Sequence, residues 1–144
     1  MKYNELKEKY GLPRFEELNK EINLEDIEDD FLRNILDKLY EKTSNYAKII
    51  EDLLQPEASL ANMYEANYIS GKVDLDKVYV DIMKINRELL LARFEYSEEK
   101  SSIPISKAYK DWKDIKPDVN KVLELLRDSW KDKIDEKKYG GYFG

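Results

Sequence analysis

The stretch of residues 25–55 constrains the fold more than any other part of the sequence. It contains no proline or glycine, and its apolar side chains recur with the period of an α-helix. At about 100° per residue they fall in one arc of about 200°, and charged side chains fill the opposite side. The arc comprises Ile27, Phe31, Leu32, Ile35, Leu36, Leu39, Tyr40, Tyr46, Ala47, Ile49, Ile50, Leu53 and Leu54. So wide an arc contacts more than one neighbour, which predicts the central helix of an antiparallel bundle, or a helix that also carries an oligomer interface.

Proline and glycine divide the rest of the chain into further helices. The predicted helices cover residues 4–10, a short segment from Pro13, the long helix of about 25–55 capped by Asn23, a short element at 57–69, residues 74–96 and 106–115, and a last helix from Pro117 to about Lys138. The stretch SEEKSSIP is predicted to be a loop, and no segment alternates as a strand does.

The predicted fold is therefore all-α. It is an antiparallel helical bundle of four to five helices built around the long central helix, with a short N-terminal helical arm and a flexible C-terminal tail. Residues 1–138 form one helical domain, with the arm at 1–22 and the bundle at 24–138, and residues 139–144 form the tail.

Two residue types are absent, and this narrows the possible chemistry. Without cysteine and histidine the chain has no disulfide, no cysteine zinc site and no histidine base or ligand. No stretch approaches the roughly 18 apolar residues that a membrane span needs, so no membrane association is expected. The N-terminus lacks the apolar core of a secretory signal, so we expect a cytoplasmic protein.

The net charge of −6 disfavours binding to a phosphate backbone. Residues 107–116 combine lysines with aromatic residues, as surfaces that bind single-stranded nucleic acid do. Asp111 and Asp114 offset much of that charge, and Trp112 belongs to an apolar stripe with a helical period. A nucleic-acid partner is therefore not expected.

The acidic run EDIEDD at residues 25–30 is the most visible charge feature. Glu25 and Glu28 could hold Mg²⁺ together with Asp74 and Asp81 if all four carboxylates converged in a cleft. Di-iron bundles pair glutamate with histidine, which is missing here. The alternative, which we favour, is that acids at a helix start complement the helix dipole.

Three polar side chains interrupt apolar faces. Asn86 and Arg93 fall on the apolar side of the helix predicted at 74–96, and Lys42 falls within the apolar arc of the central helix. Burying an amide or a charge without a partner destabilises a fold by roughly several kcal/mol. These residues either line a pocket for an anionic ligand, lie at a subunit interface, or are structural polar groups with partners inside the bundle.

The least charged stretch of its length is PEASLANMYEANYISG, residues 56–71. Its small and aromatic residues suit a partner surface or the wall of a pocket, and they equally suit a short helix buried across the bundle. The candidate binding residues in this stretch are Leu60, Met63, Tyr64 and Tyr68.

The chain ends in KKYGGYFG, which interleaves glycines with Tyr139, Tyr142 and Phe143. The segment from Glu136 to Phe143 resembles the spacing of a sliding-clamp-binding peptide. It departs from that pattern where Glu136 replaces glutamine and Tyr139 replaces an aliphatic residue. The aromatic residues join no helical stripe, so the functional interpretation is docking onto a protein partner or a second subunit.

Taken together, these features favour a non-catalytic protein–protein interaction protein that self-associates and needs no cofactor. The alternative is a metal-dependent hydrolase of nucleotides or phosphate esters, with Mg²⁺ held by the four carboxylates and with Arg93 or Lys42 contacting phosphate.

Overall fold

The computed structural model describes residues 2–56 and 59–140, and the side chains of residues 2–56 and 59–129. The helices are α1 (Tyr3–Tyr10), α2 (Phe15–Asn19), α3 (Phe31–Leu54), α4 (Leu60–Ser70), α5 (Leu75–Phe94) and α6 (Glu98–Gly140). The described residues include no strand, so the predicted all-α class is confirmed. Within these residues, no helix is both long enough and apolar enough to cross a membrane.

Helix α3 is the central helix, as its wide apolar arc predicts. It packs against α5, α6 and α4. Its side chains Leu32, Ile35, Leu36 and Ile50 are almost completely buried. Burying one such side chain stabilises the fold by about 1.5–3 kcal/mol, so this helix holds the bundle together.

The acidic run before α3 is not helical, and the predicted start of the long helix at residue 25 is wrong. The helix begins at Phe31, because its N-cap Asp30 has a left-handed backbone with φ of 48°. The Asn34 side-chain amide donates to the Asp30 carbonyl (3.1 Å) and thereby fixes this corner. Earlier, the Asn23 side chain accepts the Glu25 N–H (3.0 Å), a local turn that competes with helix formation.

Helix α6 is continuous from Glu98 to Gly140 and contains Pro104 and Pro117. The predicted loop at SEEKSSIP and the predicted break between residues 115 and 117 are therefore wrong. An interior proline removes one backbone hydrogen bond and costs about 3 kcal/mol. Burial of Ile105, Trp112 and Val119 along α6 offsets this cost, since each contributes about 1.5–3 kcal/mol.

The N-terminal arm packs into the same core as the bundle. Gly11 ends α1 in a left-handed conformation with φ of 67°, which turns the chain toward α2. Leu18 of α2 is fully buried, and the Tyr3 ring packs edge-on against Phe15 with centroids 5.7 Å apart. The Tyr3 hydroxyl donates to the Pro13 carbonyl, and burial raises the Tyr3 pKa to about 12.

Candidate functional site

Asn86 is a structural polar residue of the core. It is 3% exposed, and its side-chain amide donates to the hydroxyls of Thr43 (3.0 Å) and Ser44 (2.8 Å) on α3. The Thr43 hydroxyl in turn donates to the carbonyl of Leu39. This chain of hydrogen bonds connects α5 to α3.

Lys42 lies against Glu21 of the N-terminal arm. The Glu21 carboxylate accepts hydrogen bonds from Lys42 Nζ (3.2 Å), Trp112 Nε1 (2.7 Å) and Lys116 Nζ (2.6 Å). Lys42 Nζ also lies 5.1 Å from the centroid of the Trp112 ring. Four residues from α3, α6 and the segment after α2 thus form one cluster, which we call the Glu21 cluster.

The Glu21 carboxylate is ionised although its side chain is only 7% exposed. Burial raises its pKa, but the hydrogen bonds from Lys116, Trp112 and Lys42 lower it by more, so the pKa lies below its ordinary value. The cluster therefore attaches the N-terminal arm to the bundle, and Lys42 is paired with Glu21. The sequence around Glu21 does not predict this role, because the partners of Glu21 lie far from it along the chain.

Arg93 lies at the C-terminal end of α5, beside α3. Its Nε donates to Asp37 Oδ1 (2.8 Å), and its guanidinium stacks on the Tyr40 ring at 4.4 Å from the centroid. It borders a cleft of about 340 Å³, which Arg33 borders as well. Lys42 borders a different cleft. Lys42, Asn86 and Arg93 therefore lie in three separate environments and do not share a pocket.

The four candidate magnesium ligands are not brought together. Asp74 accepts the Lys77 N–H (3.1 Å) as the N-cap of α5, and Asp81 pairs with the Lys77 amino group (3.0 Å). Glu25 and Glu28 are exposed on the turns before α3. Among the residues that the structure describes, no group of three or more carboxylates could hold a metal ion.

The basic and aromatic segment at residues 107–116 is occupied by contacts within the bundle. Lys107 pairs with Glu88 (2.6 Å), Lys116 pairs with Glu21, and the Trp112 side chain is buried. These contacts leave neither a free aromatic ring at Trp112 nor uncompensated charge at the two lysines for a nucleic acid to use.

Helix α4 has one buried face and one solvent-facing face. Ala66 and Ile69 point into the bundle together with Glu65, the one charged residue of the helix. Leu60, Met63 and Tyr64 are exposed, and we call these three residues the α4 surface. Tyr68, the fourth candidate in this helix, is half-buried, and its ring stacks with that of Tyr64 at 6.4 Å.

The C-terminal candidates fall largely outside the described residues. Tyr142 and Phe143 lie outside the described residues. The prediction that the tail is flexible concerns these residues and lies outside the described part of the chain as well. Tyr139 belongs to the backbone of α6, which extends to Gly140, two residues beyond the predicted end. Its side chain lies outside the described residues as well.

Comparison of the chain with protein-family models, with curated proteins and with solved structures finds no match. The geometry of its own surfaces is therefore what can support a function.

Proposed function

We propose that this chain is a non-catalytic protein–protein interaction protein that self-associates through the α4 surface. The observation that carries this proposal is the exposure of two aliphatic side chains there: Leu60 is 80% exposed and Met63 is 48% exposed. Such side chains are usually buried, and a contiguous apolar patch on a soluble domain marks an interaction site.

The three residues of the α4 surface lie on one face because their spacing is i, i+3, i+4. Glu65, Ala66 and Ile69 lie on the opposite face and are buried. Helix α4 therefore presents an apolar stripe to solvent without an exposed charged residue of its own. In a chain with 39% charged residues, this is unusual for an exposed helix.

A second copy of the chain is the partner that this surface fits. Each copy carries a net charge of −6, so two copies repel one another at long range. Contact costs least where neither copy exposes a charge, and no residue of α4 itself exposes a charged side chain. In a twofold dimer the same patch meets itself, which matches apolar residues with apolar residues.

Sedimentation velocity across a range of protein concentrations tests this proposal. We expect a monomer–dimer equilibrium that salt strengthens, because salt screens the repulsion between the two negative copies and leaves the apolar contact intact. The double variant Leu60→Glu with Met63→Glu should be monomeric at every concentration, since it would bring four carboxylates into the interface.

A matched control is the double variant Ile103→Glu with Val80→Glu. These residues are 74% and 48% exposed, close to Leu60 and Met63, and they lie on α6 and α5. The control changes the net charge by the same amount and should still dimerise. A wild-type chain that stays monomeric, or two double variants that dissociate equally, would refute the proposal.

A further inference from the structure

A second surface lies at the other end of the bundle, between the N-terminal half of α3 and the C-terminal end of α5. It is the cleft of about 340 Å³ introduced above, which we call the Arg33 cleft. Its apolar lining includes Leu36 and Leu90, and Phe94 stands at its edge with 82% of the residue exposed. The two guanidinium groups of Arg33 and Arg93 border the same space.

Both guanidinium groups are held in position by aromatic rings. Arg33 stacks over Tyr96 at 4.5 Å from the ring centroid, and Arg93 stacks over Tyr40 at 4.4 Å. Stacking on one face of a guanidinium leaves its N–H donors in the plane free to bind an acceptor. The side chains are therefore ordered before any ligand arrives, which reduces the entropy cost of binding.

The charges in the cleft are not balanced. Asp37 accepts a hydrogen bond from Arg93 (2.8 Å), whereas Arg33 forms no ion pair with any residue whose side chain the structure describes. Two positive groups and one negative group line the cleft, so the lining itself carries one net positive charge. A ligand with one carboxylate would complete this balance.

We propose that the Arg33 cleft binds a short segment of a partner protein in which an acidic side chain stands next to an aromatic or aliphatic side chain. The carboxylate accepts hydrogen bonds from Arg33 and from the remaining donors of Arg93. The apolar side chain packs between Leu90 and the exposed ring of Phe94. Leu91, one helical turn before Phe94, is 61% exposed and extends this apolar edge.

A single carboxylate suits the site better than a more highly charged group. The whole chain has a net charge of −6. Burial raises the pKa of Tyr96, and the negative charges of Asp30 and Glu98 raise it further, whereas the positive charge of Arg33 lowers it, so these two acids lie near the cleft. These nearby acids repel a phosphate or a polyanion more strongly than a monovalent group. A volume of about 340 Å³ is enough to hold one or two side chains.

The cleft is independent of the α4 surface. Helix α4 lies near Leu53 at the C-terminal end of α3, since Leu53, Asn62 and Glu65 line a common cleft. Arg33 lies twenty residues earlier in the same helix, which corresponds to about 30 Å. Binding at the Arg33 cleft therefore neither requires nor prevents dimerisation through α4.

The test is a titration of the ¹⁵N-labelled chain with two blocked tetrapeptides, acetyl-Gly-Asp-Phe-Gly-amide and acetyl-Gly-Asn-Phe-Gly-amide. We expect the aspartyl peptide to shift the backbone amide signals of Arg33, Asp37 and Phe94 in a saturable manner. The asparaginyl peptide should bind about tenfold more weakly, because it lacks the charge that completes the ion pair.

The variant Arg33→Glu should lose the response to the aspartyl peptide. It should keep its fold, because Arg33 is exposed and no described ion pair depends on it. Arg87→Glu is the matched control, since Arg87 is also exposed, lies on α5 and borders a different cleft. Sedimentation of Arg33→Glu should show the same dimerisation as the wild type, which separates this site from the α4 surface.

Three results would overturn the inference. One is the absence of any shift at the cleft with about 10 mM aspartyl peptide, a concentration that detects even millimolar binding. Another is equal affinity for the two peptides, which would mean that the carboxylate is not recognised. The third is an equal loss of binding in Arg87→Glu, which would mean that net charge alone attracts the peptide.

Discussion

Replacing Glu21 with glutamine should destabilise the fold by about 2 kcal/mol. Glutamine keeps the volume and can still accept the Trp112 N–H, so the change removes the charge that faces two ammonium groups. Removing one partner of a buried ion pair costs about 3–5 kcal/mol. Here Lys42 and Lys116 keep 20% and 40% of their side chains exposed, so water compensates part of that loss.

Urea denaturation followed by circular dichroism measures this difference, and Glu88→Gln is the control. Glu88 accepts a hydrogen bond of 2.6 Å from Lys107, the same length as the bond between Glu21 and Lys116. Its side chain is 47% exposed and that of Lys107 is 54% exposed, so both ions are solvated without each other. The control substitution should therefore leave the unfolding midpoint unchanged within error.

The same pair of proteins gives a pH test with a defined sign. The pKa of Glu21 in the fold lies below its ordinary value of 4.5, because its hydrogen bonds outweigh the effect of burial. Its contribution to stability is therefore fully present above pH 4.5 and is lost as the pH falls through the lower value in the fold. The difference between wild type and Glu21→Gln should be constant from about pH 5 to 7 and shrink below that range. A cost no larger than that of Glu88→Gln, or a difference that persists in strong acid, would refute the reasoning.

Two further substitutions test the core and the arm. Asn86→Ala should destabilise the fold by about 2 kcal/mol, because it removes buried hydrogen bonds and leaves a cavity. Asn86→Leu should cost less than about 1 kcal/mol, because it fills the space and Thr43 still donates to the Leu39 carbonyl. Equal costs of the two substitutions in thermal denaturation would contradict the structural role of Asn86. Gly11→Ala should cost about 1 kcal/mol, because φ of 67° strains any residue with a Cβ atom. Gly71→Ala, at φ of −74° with no contact to the added Cβ closer than 3.6 Å, should change the melting temperature little, and an equal loss at both glycines would count against the role of the left-handed turn.

The fold class and the central helix follow from the sequence because they depend on a regular pattern. A run of apolar side chains with a helical period predicts α3 whichever helices pack against it. The ends of the helices depend on single backbone conformations instead. The left-handed backbone of Asp30 ends the acidic turn, so α3 begins six residues after the predicted start. The prolines of α6 stay helical because Ile105, directly after Pro104, and Val119, two residues after Pro117, are buried in the core.

The polar contacts are harder to predict from the sequence than the helices are. The apolar patterns around Lys42, Asn86 and Arg93 mark them as residues that need partners. Those partners cannot be identified from local spacing, since Glu21 lies 21 residues from Lys42 and 91 residues from Trp112. Arg33 lies on the charged side of the central helix, where nothing in the sequence distinguishes it from the other charged residues. Its role depends on Tyr96, which only the packing of α5 on α3 brings near.

The Glu21 cluster also determines when the fold can be completed during synthesis. The arm leaves the ribosome early, but two of the three groups that hold its carboxylate, Trp112 and Lys116, are made about ninety residues later. Until then the α6 part of the core that also contains Leu18 and Ile22 is missing, so the growing chain has an incomplete apolar core. Contacts this far apart in sequence slow folding. A chain truncated before Trp112 should therefore be more sensitive to proteolysis in its arm than the full chain.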